Sequence, residues 1–280
     1  MLKPVIYKVA SPKLPAAFDG FRVLHLSDLH SASFGKRNRR LFAAIDSARP
    51  DIIVMTGDMI NGGEEHFNVF LHLAASLAAQ YEVYYILGNH EQALKPRRLR
   101  ELLQALYKAG VHILANESVD LKRGDSRVRL YGMHPHMRYY RDLKHCFDRH
   151  AYFTATDLRE LVGPADPNVY NILLAHNPLY FSSYAKWGAD LTLSGHIHGG
   201  IIRLPGLGGL LSPEFRFFPK YDGGFFAQSG HCLEVSRGLG NNFLCRINNP
   251  PELPLLIFRS GNVNPRDISH SQYTNGGTYE

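Results

Sequence analysis

Cysteine is scarce in this chain: Cys146, Cys232 and Cys245 are the only three, odd in number and without a CxxC pair. That argues against a disulfide framework and for a reducing compartment, with the thiols as small core residues. Long apolar runs are missing too. Nothing approaches the roughly 20 apolar residues that cross a bilayer, and the start MLKPVIYKVASPK lacks a signal peptide's apolar middle. The expectation is a cytoplasmic protein, or one peripheral at a membrane whose upstream anchor is absent from this chain. Bias toward disorder is also lacking, since 45% of residues are hydrophobic and 20% charged, ordinary values for a globular core. The length suits one α/β domain over residues 1–260 with a polar, flexible tail over 261–280. Acidic residues are the minority, 25 against 31 Lys and Arg, giving a formal charge of +6. Such a surface favours an anionic partner: a phosphorylated substrate, an acidic lipid surface or nucleic acid.

What the sequence does have is a repeated ending. Five apolar runs, FRVLHLSDLH, DIIVMTGD, VYYILGNH, NILLAHNP and LTLSGHIHGG, end in metal-ligand residue types: Asp28, His30, Asp58, Asn89, His90, His176, His196 and His198. Ligands of open α/β sheets gather outside the carboxyl ends of the strands, so five such endings point to one shared site. Between residues 21 and 115 the runs alternate with helical patterns near 37–48, 64–80 and 96–109, as βαβ units in a mainly parallel sheet do. SVDLKR and SRVRLYG, around Gly124 and Asp125, read as a hairpin. From His134 to Gly163 the rhythm breaks into an insert over the site, with one helix near TATDLRELVG. Beyond His198, IIRLP, GFFAQSG, CLEVSRG and LPLLIFRS read as short strands of a second sheet.

On an extended backbone Asp28 and His30, two apart, share a face and can grip one ion together; His196 and His198 repeat that spacing. A carboxylate can serve two cations at once, which makes Asp58 the natural bridge, and Asn89 and His176 add neutral ligands. Seven N and O ligands fit two divalent ions, whose charge outweighs the carboxylates of Asp28 and Asp58 and invites hydroxide and phosphate. Two metals about 3.5–4 Å apart lower the pKa of a bridging water from 15.7 toward about 7 and clamp both attacking and leaving oxygens. Without thiolates the set suits Mn²⁺, Zn²⁺ or Fe.

SDLH, TGD, GNHE, AHNP and GHIHGG, in this order, resemble the five blocks of calcineurin-like metallophosphoesterases over about residues 20–258. RLPGLGGLLSPEF with SRGLGNNFLCRINNPPELPLLIF is similar to the YkuE/YaeI-like branch of bacterial phosphodiesterases. The resemblance implies a two-sheet β-sandwich flanked by helices, a four-layer αββα fold. It implies one ion on Asp28, His30, Asp58 and His198, a second on Asp58, Asn89, His176 and His196, and His90 as the catalytic group on the phosphoryl or leaving oxygen. The implied enzyme is a metal-dependent phosphoric ester hydrolase, first of all a phosphodiesterase attacking through a hydroxide that bridges two metals. The alternatives are a pyrophosphatase on a nucleotide-linked lipid precursor of the UDP-diacylglucosamine type, and a non-catalytic scaffold of the same fold. A complete ligand set and an intact His90 argue against the scaffold. Two motifs depart from the branch: in GHIHGGI, Ile197 and Ile201 replace its usual Thr and Gln, and in GNHE, Glu91 replaces an Asp.

Other polar residues are read more plainly. His25, inside an apolar run, is expected to be a hydrogen-bonded core histidine, and His134 and His136, with no strand leading into them, a solvated loop. Lys36, Arg37, Arg39 and Arg40, with Lys95, Arg97, Arg98 and Arg100, sit at expected helix starts, where cations oppose the helix dipole and need compensation. They suit a basic rim that attracts an anionic substrate or anionic membrane headgroups. Nucleic acid ranks low, since no aromatic-rich single-strand platform is evident. Arg246 is a candidate substrate-phosphate contact or a brace for the second sheet.

Overall fold

A computed structural model of the chain describes residues 2–140, 151–204, 206–212, 217–240 and 246–261. Its strands are β1 (Pro4–Ser11), β2 (Arg22–Leu26), β3 (Ile52–Met55), β4 (Glu82–Tyr85), β5 (His112–Ile113), β6 (Glu117–Arg123) and β7 (Ser126–Met133). They are followed by β8 (Tyr170–Ala175), β9 (Leu191–Ser194), β10 (Arg203–Leu204), β11 (Gly208–Gly209), β12 (Gly224–Gln228), β13 (His231–Val235) and β14 (Leu253–Ser260). The helices are α1 (Arg39–Ala48), α2 (Asn68–Ala78), α3 (Asn89–Gln92), α4 (Pro96–Lys108), α5 (Ala155–Val162) and α6 (Phe181–Trp187).

Among the described residues the strands form two six-stranded sheets, ordered β1-β14-β2-β3-β4-β5 and β12-β13-β9-β8-β7-β6, plus a ribbon of β10 and β11. Strands β2 to β5 run parallel, as do β13, β9, β8 and β7. Alternation along each strand divides the core. In β2 and β3, Leu24, Leu26, Ile53 and Met55 face the layer of α1, α2 and α4, and Val23 and Val54 face the other sheet. In β8, Ile172 and Leu174 fill the space between the sheets, whereas Leu173 and Ala175 pack with Leu158, Tyr184 and Trp187 of α5 and α6. The layers therefore run helix, sheet, sheet, helix. A one-residue slip would exchange these faces, so burial on both sides fixes the register. Helix α1 buries Leu41, Ala44, Ile45 and Ala48, the i, i+3, i+4, i+7 stripe of a helix with one apolar face. Helix α4 opens on Pro96, and Gly110, at φ +86°, follows its end, a conformation that a Cβ would strain.

Several expectations need correcting. LPLLIFRS is not in the second sheet: as β14 it lies in the first, between β1 and β2. Its residues alternate between the same two apolar layers as β2, and it pairs antiparallel with β2 and parallel with β1 along its whole length. IIRLP supplies only the two-residue β10 of the separate ribbon. The second helix begins at Asn68 rather than 64. The cations at the start of α4 are compensated within one turn, because Arg97 and Arg98 both pair with Glu101 and Arg98 also lies over the Phe67 ring. His25 is the core histidine expected, fully buried between Glu234 (2.5 Å) and Thr56 (2.7 Å). Cys232 is a free thiol; Cys146, Cys245, the tail from 262 and part of the insert, 141–150, lie outside the described residues. No helix among the described residues is long and apolar enough to cross a membrane.

Candidate metal centre

The carboxyl ends of β2, β3 and β4 in one sheet and of β8 and β9 in the other converge on a single cluster. Three overlapping groups have ligand atoms all within 4.8 Å of one another: Asp28, His30 and His198; His30, Asp58 and His90; Asp58, His176 and His196. His30 and Asp58 each belong to two groups, so the cluster is continuous. Asn89 joins it through Oδ1, 3.2 Å from His176 Nε2. All the sequence-expected ligands are thus brought together, with His90 beside them, its ring centroid 4.7 Å from that of His30. Asp28, His30, Asp58, His176, His196 and His198 are buried, while Asn89 and His90 are half-buried, so the cluster meets solvent on their side.

The two-residue spacing works by a different geometry from the expected one. Asp28, His30, His196 and His198 are not extended; their φ values are +51°, +47°, +69° and +55°. Each strand ends before its block and turns through left-handed residues, a strained conformation that concentrates at functional sites. Backbone bonds hold these turns together: Asp28 N–H donates to the Gly57 carbonyl and His30 N–H to that of Asp58. The Asp28 carboxylate accepts the His196 N–H at 3.1 Å, and Asp58 Oδ1 accepts that of His90 at 2.8 Å.

Glycine leaves the room these carboxylates need. A Cβ at Gly195 would collide with Ser27 Oγ and Asp28 Oδ2, and one at Gly88 with Asp58 Oδ1. Gly195→Ala should therefore displace Asp28 and weaken metal binding by about 10–100-fold with the secondary structure intact. Calorimetric titration measures this; a wild-type affinity would contradict it.

Glu91 is a functional residue whose role sequence reasoning missed. Its buried carboxylate accepts the N–H groups of Gly88 (2.8 Å), Asp58 (2.9 Å), Met59 (2.7 Å) and Ile60 (3.3 Å). It shapes the turn that carries Asp58. His90 is oriented by Gly62, whose N–H donates to His90 Nδ1 at 3.0 Å. Arg246 directs its guanidinium to the carbonyls of Arg237, Gly238 and Gly240, bracing the loop that covers Asp28.

The donor set suits cations. His176 Nδ1 lies 2.7 Å from the Thr56 carbonyl, which can only accept, so Nδ1 donates and, once His176 is neutral, Nε2 presents a lone pair. That lone pair faces Asp58 Oδ2 at 3.1 Å and Asn89 Oδ1 at 3.2 Å, both acceptors. A second convergence sets His30 Nε2 3.1 Å from His198 Nε2, with Asp28 Oδ1 at 3.4 Å. A bound cation would satisfy all of these groups at once; without one, a proton on His176 Nε2 and one on either of the facing His30 and His198 nitrogens do so. Burial opposes a charge on Asp58, but the imidazoles of His176 and His90 outweigh it and hold the carboxyl well below its usual range. Burial likewise opposes a charge on His176, yet Asp58 raises it to about 9. His198 is pushed down by burial to about 3.

The calcineurin-like phosphoesterase family model matches residues 21–200, the span from β2 through the last block. Among curated proteins the chain is 25% identical to the uncharacterized metallophosphoesterase YkuE of Bacillus subtilis, covering 94% of this chain and 87% of the relative. It is 27% identical to the UDP-2,3-diacylglucosamine pyrophosphatase LpxG of Chlamydia trachomatis (88% and 85% covered). With the phosphodiesterase YaeI of Escherichia coli it shares 25% identity (84% and 81% covered). Because the matched region contains both halves of the Asp/His cluster, cluster and family coincide, and the chain belongs to the calcineurin-like phosphoesterases.

Proposed function

We propose that this chain hydrolyses a phosphate ester, first of all a phosphodiester, at a centre of two divalent ions, with residues 1–260 acting as one domain. The observation that carries this reading is the continuous cluster of Asp28, His30, Asp58, His176, His196 and His198 drawn from both sheets. Asp28, His30, Asp58 and His198 would hold one ion, and Asp58, Asn89, His176 and His196 the other. When bound, such ions supply a water of lowered pKa and positive charge for the phosphoryl oxygens; Mn²⁺, Zn²⁺ and Fe suit these donors.

The chain's own residues do the rest. Accepting from Gly62 at Nδ1, His90 carries a proton on Nε2, and its half-buried ring can offer that N–H as a hydrogen bond to a phosphoryl or leaving oxygen. The turn built by Glu91 keeps Asp58 in place, and burial of the ligands excludes competing water. Exposed Lys36, Arg37, Arg39 and Arg40, on the chain leaving the His30 turn, suit attraction of an anionic or lipid-linked substrate. Similarity to LpxG favours, as a second reading, cleavage of a pyrophosphate between a nucleotide and a lipid. A panel of a chromogenic bis-ester, a monoester and a UDP-lipid, each with Mn²⁺ and with Zn²⁺, separates the readings. Bis-ester turnover above the monoester rate is expected, and turnover of none of the three would overturn the proposal.

Metal uptake should depend on pH. An unfolded histidine titrates near 6.5, while His176 is raised to about 9 in the metal-free fold. Protonated His176 therefore stabilises the metal-free protein fully below about 6.5, and that contribution is lost as pH rises through about 9. An ion on His176 displaces that proton, so its affinity should rise about tenfold per pH unit up to about 9. The ion on His198, already neutral, should show a much flatter profile. Titration at pH 6, 7 and 8 checks this, and two parallel profiles would contradict it.

A further inference from the structure

Among the described residues of the insert that follows β7, Tyr140 reaches the cluster. Tyr140, 1% exposed, sets its ring centroid 5.5 Å from His196 at an interplanar angle of 71°, and 6.0 Å from His176 at 45°. Those two imidazoles are themselves 5.1 Å apart at 65°, so the three rings form a closed triangle. Its placement is fixed from outside the site. The carbonyl of Tyr139, the preceding residue, accepts from Tyr180 Oη at 2.8 Å and from Asn177 Nδ2 at 3.4 Å, and Asn177 directly follows His176 in the chain. The insert and the β8 end are thereby locked together at this point.

We propose that Tyr140 is a positioning residue for the ion held by Asp58, Asn89, His176 and His196, an inference that rests on the dinuclear reading above. His176 is oriented by the Thr56 carbonyl through Nδ1. The His196 ring meets both Tyr140 and His176 in edge-to-face contacts, which favour a defined angle. Outer partners that fix a ligand ring typically govern metal affinity by 10–100-fold. The ring performs this role, because it is the ring that meets both imidazoles. The other ion, on Asp28, His30, Asp58 and His198, shares only Asp58 with this set and should feel the loss of the ring less.

The test compares chelator-stripped wild type, Tyr140→Phe and Tyr140→Leu by titration with Co²⁺, following the visible ligand-field bands and the heat of binding. Wild type and the Phe variant should take up two ions with matching affinities and spectra. The Leu variant should bind one ion at least tenfold more weakly, with the larger change in bands for that ion. If the Leu variant does not fold by circular dichroism, Tyr140→Met takes its place with the same expectation. A two-ion wild type matched by the Leu variant overturns the proposal alone, as does equal weakening of both ions or a Phe variant as weak as Leu. A wild type that takes up fewer than two ions overturns the dinuclear reading, and the proposal with it.

Discussion

Asp58→Asn should leave the protein folded and lower its hydrolysis of a chromogenic bis-ester by about 10³-fold or more, the several kcal/mol of transition-state stabilisation that a metal centre provides. The substitution is nearly isosteric. Asn can still accept the His90 N–H that Asp58 Oδ1 now receives at 2.8 Å, so the turn should survive. What disappears is the negative charge shared by the group containing His30 and the group containing His176 and His196. No other carboxylate in the cluster belongs to two groups. A purified variant that melts like wild type yet turns over near normally would remove Asp58 from the mechanism.

The second large effect falls on stability. Glu91→Ala should cost at least about 3 kcal/mol, since it strips the partner from the buried N–H groups of Gly88, Asp58, Met59 and Ile60, and each buried donor left unpaired costs about 1–3 kcal/mol. For a chain of this size the thermal midpoint should fall by roughly 6–12 °C. Glu91→Gln should fare almost as badly, because its amide replaces one accepting oxygen with a donor that faces other donors. Glu91→Asp is too short to reach all four. Differential scanning calorimetry on the metal-free forms decides this, and a midpoint within about 2 °C of wild type for the Ala variant would mean that water replaces the carboxylate without loss.

Much of this was legible in the sequence, for a physical reason. A strand that runs straight into a ligand block carries its apolar signal and its chemistry in one local stretch, so SDLH, TGD, GNHE, AHNP and GHIHGG could be read as five strand ends of one site. The helical stripes of α1 and α4 were equally local. Information about partners is not local. LPLLIFRS reads as a strand in isolation, but nothing in its apolar pattern says that it threads between β1 and β2, a pairing decided by residues more than 200 positions away. The left-handed turns at Asp28, His30, His196 and His198 were hidden because none of these residues is glycine. Their strain is held by backbone bonds between loops, and only the assembled sheets reveal those. The role of Glu91 was hidden similarly: its four donors come from two separate turns. One signal was available, since a carboxylate three residues after Gly88 matches a helix-capping pattern. Tyr140 lies in the segment where the strand–helix rhythm stops, and no periodicity there singles it out.

The central claim is that the Asp/His cluster holds two ions with Asp58 between them, and metal content after saturation tests it most directly. Wild type and Asp58→Asn are stripped with chelator, saturated with Mn²⁺ or Zn²⁺, passed through a desalting column and assayed by elemental analysis per folded chain. The account predicts two equivalents for wild type and at most one for the variant. Fewer than two for saturated wild type, or two retained by the variant, would contradict it.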